Sequence, residues 1–294
     1  MLRLAAALFA AAAISTPQPQ VLFAITDDSG AETALAIEPV ALVTKTPGSC
    51  AGCWTVTFAN PPLEERKQKE AKEFAARYYR PGRTYRVLAT GVEIATAKVE
   101  SETSLGCVSL AARVTVTPPR RRGDWNRKTL LAIGSMHVVP RKPFDRELTL
   151  AEDKAIWSVG ERELRARGVA ASLFRDMDGH NFLATDLNGD GRRDLVGSFQ
   201  ARNPKTHDTH HLFVIALADD TAGYRSEYVW YYRESKIENS IQRMQLVDSL
   251  DLDEDGTDEV IVSNDFYESH VYRILKRGRD GKWTIVYSGG GSGC

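Results

Sequence analysis

The sequence predicts a mostly β chain with two or so helices. A small α+β or mostly-β domain should come first, followed by two similar four-stranded antiparallel units. Three observations predict this. Short alternating or apolar runs, bounded by Gly, Pro, Asn and Asp, recur along the chain. Only two stretches carry helix-start signals. Two acidic loops, DLNGDGRRD at Asp186–Asp194 and DLDEDGTDE at Asp251–Glu259, fall at matching places in a repeated stretch.

Composition fits a globular chain. Of 294 residues, 43% are hydrophobic and 26% charged, with a formal net charge of -1. That balance gives no electrostatic case for binding nucleic acid. The N-terminus reads as a cleavable secretory signal: Arg3, an apolar run over Leu4–Ile14, then Ala13-Ile14-Ser15 as an A-x-S site. We therefore divide the chain into a leader (1–15), an N-terminal domain (16–148) and a C-terminal domain (149–294), periplasmic or secreted. The leader run is too short to span a bilayer, and no later apolar stretch is long enough, so stable membrane insertion is not expected. Cys50, Cys53, Cys107 and Cys294 suit disulfides in an oxidising compartment, with connectivity open. The alternative, CAGC as a redox pair, is disfavoured because WTVTFAN after it alternates as a strand rather than opening a helix.

In the N-terminal half, Val21–Thr26, Ala34–Thr44 and Trp54–Phe58 read as strands. Asn60-Pro61-Pro62 should cap a helix running to about Tyr79. Strands are then expected at Tyr85–Ala89, Val92–Val99, Val108–Val116, Thr129–Ile133 and His137–Val139. In the basic loop Pro118–Lys128, Arg122-Gly123-Asp124 matches a known cell-adhesion tripeptide, but a three-residue match in such a loop is expected by chance. Thr149-Leu150-Ala151-Glu152 is a capping box for a helix ending at Arg167, before Gly168. Asp176 and Asp178 are expected to form an Asx turn.

The repeat extends beyond the loops. Asp186 to Asp251 and Asp194 to Glu259 are both offsets of 65. Apolar strands follow at Leu195–Phe199 and Val260–Asn264, then HLFVIAL from His211 and HVYRILK from His270. Each loop reads D-x-[D/N]-x-D-G-x-x-[D/E]. Hard cations such as Ca²⁺ take six to eight oxygens, and Gly at position 6 allows the sharp turn that gathers alternate side chains. Candidate ligands are Asp186, Asn188, Asp190 and Asp194 with the Arg192 carbonyl, and Asp251, Asp253, Asp255 and Glu259 with the Thr257 carbonyl. The second loop is the stronger candidate, because Arg192 and Arg193 offset the first. An EF-hand is excluded, since position 12 is Gly197 or Val262 where that motif needs Glu. His207, Asp208, His210 and His211 could form a transition-metal site, but the alignment of His211 with His270 favours a structural role.

These loops and their strands resemble the FG-GAP or VCBS-type repeat of integrin alpha-subunit propellers, over about 125 residues from Gly168 to Gly291. The resemblance implies propeller-blade-like units with Ca²⁺ held in β-hairpin loops. Two units cannot close a ring of four to eight blades, so they should pack face to face, recruit N-terminal strands, or pair with a second chain. No nucleophile elbow or H-E-x-x-H is present. The function expected is therefore an exported, calcium-binding, non-catalytic binding or adhesion-type protein, with a protein or glycan partner and possible homo-oligomerisation through sheet edges. The alternatives are an exported hydrolase on the same scaffold and a calcium-responsive periplasmic sensor.

Overall fold

The computed structural model describes residues 19–27, 35–48, 54–63, 67–105, 108–118, 130–138, 148–220, 223–235 and 241–293. The leader, all four cysteines, the Arg122-Gly123-Asp124 triplet and the stretch Pro140–Glu147 lie outside these residues. The chain is mostly β, with antiparallel sheets throughout.

Seven strands come first: β1 (Gln20–Asp27), β2 (Leu35–Pro47), β3 (Trp54–Ala59), β4 (Thr84–Ala89), β5 (Val92–Leu105), β6 (Val108–Thr117) and β7 (Leu130–Ile133). Their order is β1-β7-β4-β5-β6-β2, and β1 also pairs with β2, so six strands close into a barrel. Strand β3 extends the sheet from the far end of β2. The sequence reading of a small mostly-β domain is thus sharpened to a closed barrel.

Residue pattern explains which wall of the barrel faces inward protein and which faces water. Strands β5 and β6 alternate: Ala95, Ala97, Val99, Ala112, Val114 and Val116 fill the interior, while Lys98, Glu100, Arg113 and Thr115 are exposed. Strand β1 is apolar on both faces. Phe23 and Ile25 point into the barrel, whereas Leu22 and Ala24 join a second cluster outside it. Helix α1 (Gln68–Tyr78) adds Phe74, Ala75 and Tyr78 to the interior cluster. It begins later than expected. Residues 60–63 are not helical and Lys67, not Asn60, is the N-cap, because a residue before proline, here Pro61, is disfavoured from the helical region. Residues 136–138 are likewise not a strand.

Helix α2 (Leu150–Ala166) starts with the expected capping box. Thr149 Oγ1 accepts from the Glu152 amide at 3.2 Å, and Glu152 Oε2 accepts from the Thr149 amide at 2.7 Å. Gly168 follows its end with φ +78°. A 3₁₀ turn, Ala171–Asp176, leads into β8 (Asp178–Thr185). Asp176 pairs with Arg175 and Asp178 opens a strand, so the Asx turn is not formed.

Two four-stranded meanders complete the chain: β8, β9 (Asp194–Arg202), β10 (Thr209–Asp219) and β11 (Gly223–Glu234), then β12 (Arg243–Leu250), β13 (Glu259–Asp265), β14 (Ser269–Arg277) and β15 (Trp283–Gly293). Their pairing is equivalent. Thr185 opposes Asp194 as Leu250 opposes Glu259, and Val196 opposes Ile215 as Ile261 opposes Ile274. A bulge follows Ile215 in one sheet and Ile274 in the other. The 65-residue sequence repeat is therefore also a repeat of register.

The sheets stack in layers. Helix α2 covers the outer face of the first sheet through Ile156, Val159 and Leu164. Phe213, Ile215 and Leu217 then meet Met244, Leu246 and Val262 between the sheets. On its other face the second sheet sets Ile261, Tyr272 and Ile274 against Leu22, Val40, Leu131 and Ile133 of the barrel wall. Both meanders thus have helix, sheet or barrel on each face.

Close packing beneath α2 gives a test. A Cβ on Gly160 would lie 2.7 Å from the Phe199 ring. In a free helix Gly160→Ala gains about 1 kcal/mol, but overpacking here costs about 1–3 kcal/mol. Urea denaturation should show the variant less stable than the parent. Greater stability would contradict this packing.

Candidate metal sites in the two acidic loops

The loops connect β8 to β9 and β12 to β13, and their first and last acidic residues flank the strand ends. Each turn is drawn tight by its own backbone amides. Asp186 Oδ1 accepts from Gly189 (2.7 Å) and Asp190 (3.1 Å), and Oδ2 from Gly191 (2.9 Å). Asp251 does the same with Asp255 (3.1 Å) and Gly256 (3.0 Å). At position 9, Asp194 Oδ2 and Glu259 Oε2 accept from the amides of Leu187 (2.9 Å) and Leu252 (2.7 Å). Arg192 and Thr257 close the turns by donating backbone N–H groups to Asp190 and Asp255.

The two loops also touch. The Asp258 amide donates to the Leu187 carbonyl at 2.8 Å, and a Cβ on Gly189 (φ +75°) would lie 2.8 Å from the Gly256 oxygen. Glycine at 189 answers both to its left-handed backbone and to its neighbour.

Their carboxylates are arranged differently. Asp251, Asp253 and Glu259 each offer an oxygen within 4.8 Å of the others, and all are buried or half-buried. Ca²⁺–oxygen distances are about 2.3–2.6 Å, so oxygens this far apart can share one ion. Asp253 Oδ1 is buried with no hydrogen-bond partner, leaving acceptor capacity. Among the described residues this is the one acidic or histidine group that converges so closely, and Asp186, Asp190 and Asp194 do not match it. In the first loop both Asp194 oxygens take amides, from Leu187 and from Ala218 (2.9 Å). Asn188 Nδ2 donates to Asp190 Oδ2, which Arg192 also clamps at 2.8 Å. Arg192 reaches on to Asp220 at 2.7 Å.

A cation already sits in the second loop. Lys276 Nζ on β14 donates to Asp253 Oδ2 (2.6 Å), Glu259 Oε1 (2.7 Å) and Asp255 Oδ2 (3.0 Å). Burial opposes the charge on Lys276, but its bonds to Asp253 and Glu259 outweigh that and raise its pKa. The equivalent of Lys276 in the first sheet, two residues past Ile215, is Leu217. Loop two is also tied to the barrel. Glu254 accepts from Lys45 Nζ at 2.6 Å and Trp54 Nε1 at 3.1 Å, and lies 3.0 Å from His137 Nδ1.

The histidine cluster does not converge. His210 bonds Tyr231, His211 bonds Glu234 at 2.9 Å, and Asp208 pairs with Arg233 at 2.6 Å. Among the described residues no helix is long and apolar enough to cross a membrane.

Burial pushes Glu259 up to about 7, from an ordinary value near 4.5, against the opposing pull of Lys276. Burial likewise pushes Asp194 up to about 6, although the Ala218 and Leu187 amides favour its charge. A raised folded-state pKa means that stability is full below the unfolded value and falls as pH rises through the folded one. In EDTA the protein should therefore lose stability between about pH 4.5 and 7 on this account. Glu259→Gln should flatten that slope in denaturation curves taken across the range, and an unaltered slope would count against a strained buried carboxylate. Neither family models, curated proteins nor solved structures match the chain, so the reading of these loops rests on their geometry.

Proposed function

We propose that the chain is an exported, non-catalytic binding protein whose C-terminal half is a pair of FG-GAP or VCBS-type blades able to take Ca²⁺ in a β-hairpin loop. The observation that carries this reading is the convergence of Asp251, Asp253 and Glu259 on one point. The loop spacing and the equivalent pairing of the two sheets support the likeness to blades. Export rests on the leader-like N-terminus. A protein or glycan partner follows from the likeness alone.

Lys276 changes what calcium would do here. Its ammonium balances the same carboxylates that Ca²⁺ would bridge, so the loop is compensated without metal. Ca²⁺ then enters by displacing the lysine. It carries twice the charge and can take more oxygens than three N–H donors can serve. This gives the calcium-responsive reading a specific basis: occupancy would free the Lys276 ammonium from Asp253, Asp255 and Glu259 and so loosen the hold of β14 on the loop. The first loop, with Asp190 clamped and both Asp194 oxygens engaged, is the weaker site in this reading.

Calorimetric titration of EDTA-stripped protein with CaCl₂ tests the proposal. Saturable binding is expected in the parent chain and weaker binding in Asp251→Asn. Lys276→Met should bind at least about tenfold more tightly, because a competing charge is gone, and should melt at lower temperature in EDTA. Absence of binding at millimolar Ca²⁺ in both the parent and Lys276→Met would overturn it.

A further inference from the structure

The repeat places equivalent residues around two cavities, one at each boundary of the second sheet. The first, of about 270 Å³, is lined by Asp178, His180, Ser198, Gln200, His211 and Arg243 among others. The second, of about 280 Å³, is lined by Gln245, Ser263, Asp265, His270 and Tyr272, with Glu38 of the barrel. Strand pairing makes the correspondence residue by residue. His180 pairs with Ser198 as Gln245 does with Ser263, and Gln200 with His211 as Asp265 with His270.

In the second cavity the strand-paired side chains satisfy one another, while Thr26 Oγ1 on the barrel side is buried without a partner. Asp265 accepts from Ser263 Oγ and from Gln245 Nε2 at 3.1 Å. Glu38, 2% exposed, accepts from the Tyr272 hydroxyl and lies 3.1 Å from His270 Nε2.

In the first cavity the strand-paired side chains do not satisfy one another. Gln200 holds the place of Asp265, so the carboxylate that serves Ser263 has no counterpart there. Ser198 is 4% exposed, and its Oγ has no hydrogen-bond partner. Nε of Arg243 is also buried without a partner. His211 is turned to Glu234 of β11, and Asp178, the carboxylate in this lining, is exposed. Buried donors left in this state are unusual and point to a missing acceptor. The space suits a small molecule rather than a polymer segment.

We propose that the cavity between the two four-stranded sheets binds a small solute through a carboxylate or phosphate group. The oxyanion takes the place that the Asp265 carboxylate fills in the second unit, accepting from Ser198 and Arg243. A guanidinium and a hydroxyl together suit such an anion. Calcium plays no part in this site, so it stands or falls apart from the acidic loops.

Thermal unfolding and calorimetry on the full chain test the assignment, with sodium acetate and inorganic phosphate as probes and sodium chloride at equal ionic strength as the control. Saturable stabilisation by acetate, phosphate or both, beyond that of chloride, is expected. Response to acetate alone would assign a carboxylate solute, and response to phosphate alone a phosphorylated one. Ser198→Ala should weaken binding by about tenfold, the loss expected for a hydrogen bond to a charged group. Its ligand-free melting temperature should not fall, because Ser198 Oγ bonds nothing in the protein. Gln200→Asp should supply the carboxylate internally and abolish binding of both probes. No effect beyond chloride, or equal affinity in the parent and both variants, would overturn the proposal.

Discussion

A β meander with apolar side chains on both faces has to be covered on both, and the rest of this molecule follows from that requirement. Each four-stranded unit carries core residues on either side. A propeller meets the demand by closing a ring of blades. Here the stack ends instead in a helix on one side and a barrel wall on the other, much as capping units end a solenoid. The barrel's two-faced strand β1 exists for that contact. Phe23 and Ile25 serve its own interior, and Leu22 and Ala24 serve the neighbouring sheet. Polar ties reinforce the join, with Asp248 accepting from the Thr90 amide at the barrel's β4–β5 turn and Glu254 gathering Lys45 and Trp54.

Because the units repeat in register, whatever differs between them at matched positions is informative. Leu217 and Lys276 occupy one such position, and Gln200 and Asp265 another. In the first pair, Lys276 balances carboxylates that converge in the second loop, whereas the first loop is served by its own Arg192 and backbone amides. In the second, the Asp265 carboxylate serves Ser263 and Gln245, whereas Gln200 at the matching place leaves Ser198 without a hydrogen-bond partner. The scaffold is the same in both units, and single side chains decide which site is filled from within.

Much of this could be read from the sequence where the cause is local. The Thr149–Glu152 capping box, the Gly168 stop and the alternating strands depend on neighbours a few residues away, and they form as expected. The 65-residue offset was legible because it preserves whole loops. Barrel closure was not, since pairing of β1 with β2 and β7 sets register across distant segments and leaves no periodic mark. The start of α1 differs from the sequence expectation: Asn60 has the chemistry of a cap, but Pro61-Pro62 keeps the chain out of the helical region. Lys276 was hidden for a similar reason. It closes an ordinary-looking strand, HVYRILK, and only strand pairing carries it to Asp253 and Glu259. The contrast with Leu217 at the matching repeat position was the available signal.

In the proposed reading, Lys276 occupies the second acidic loop until Ca²⁺ displaces it. A crystal structure grown with CaCl₂ tests it most directly. The account predicts an ion bonded to Asp251, Asp253 and Glu259 at about 2.3–2.6 Å, with the Lys276 ammonium moved out of the loop. Density showing Lys276 still bridging Asp253 and Glu259, with no ion beside them at high calcium, would contradict it.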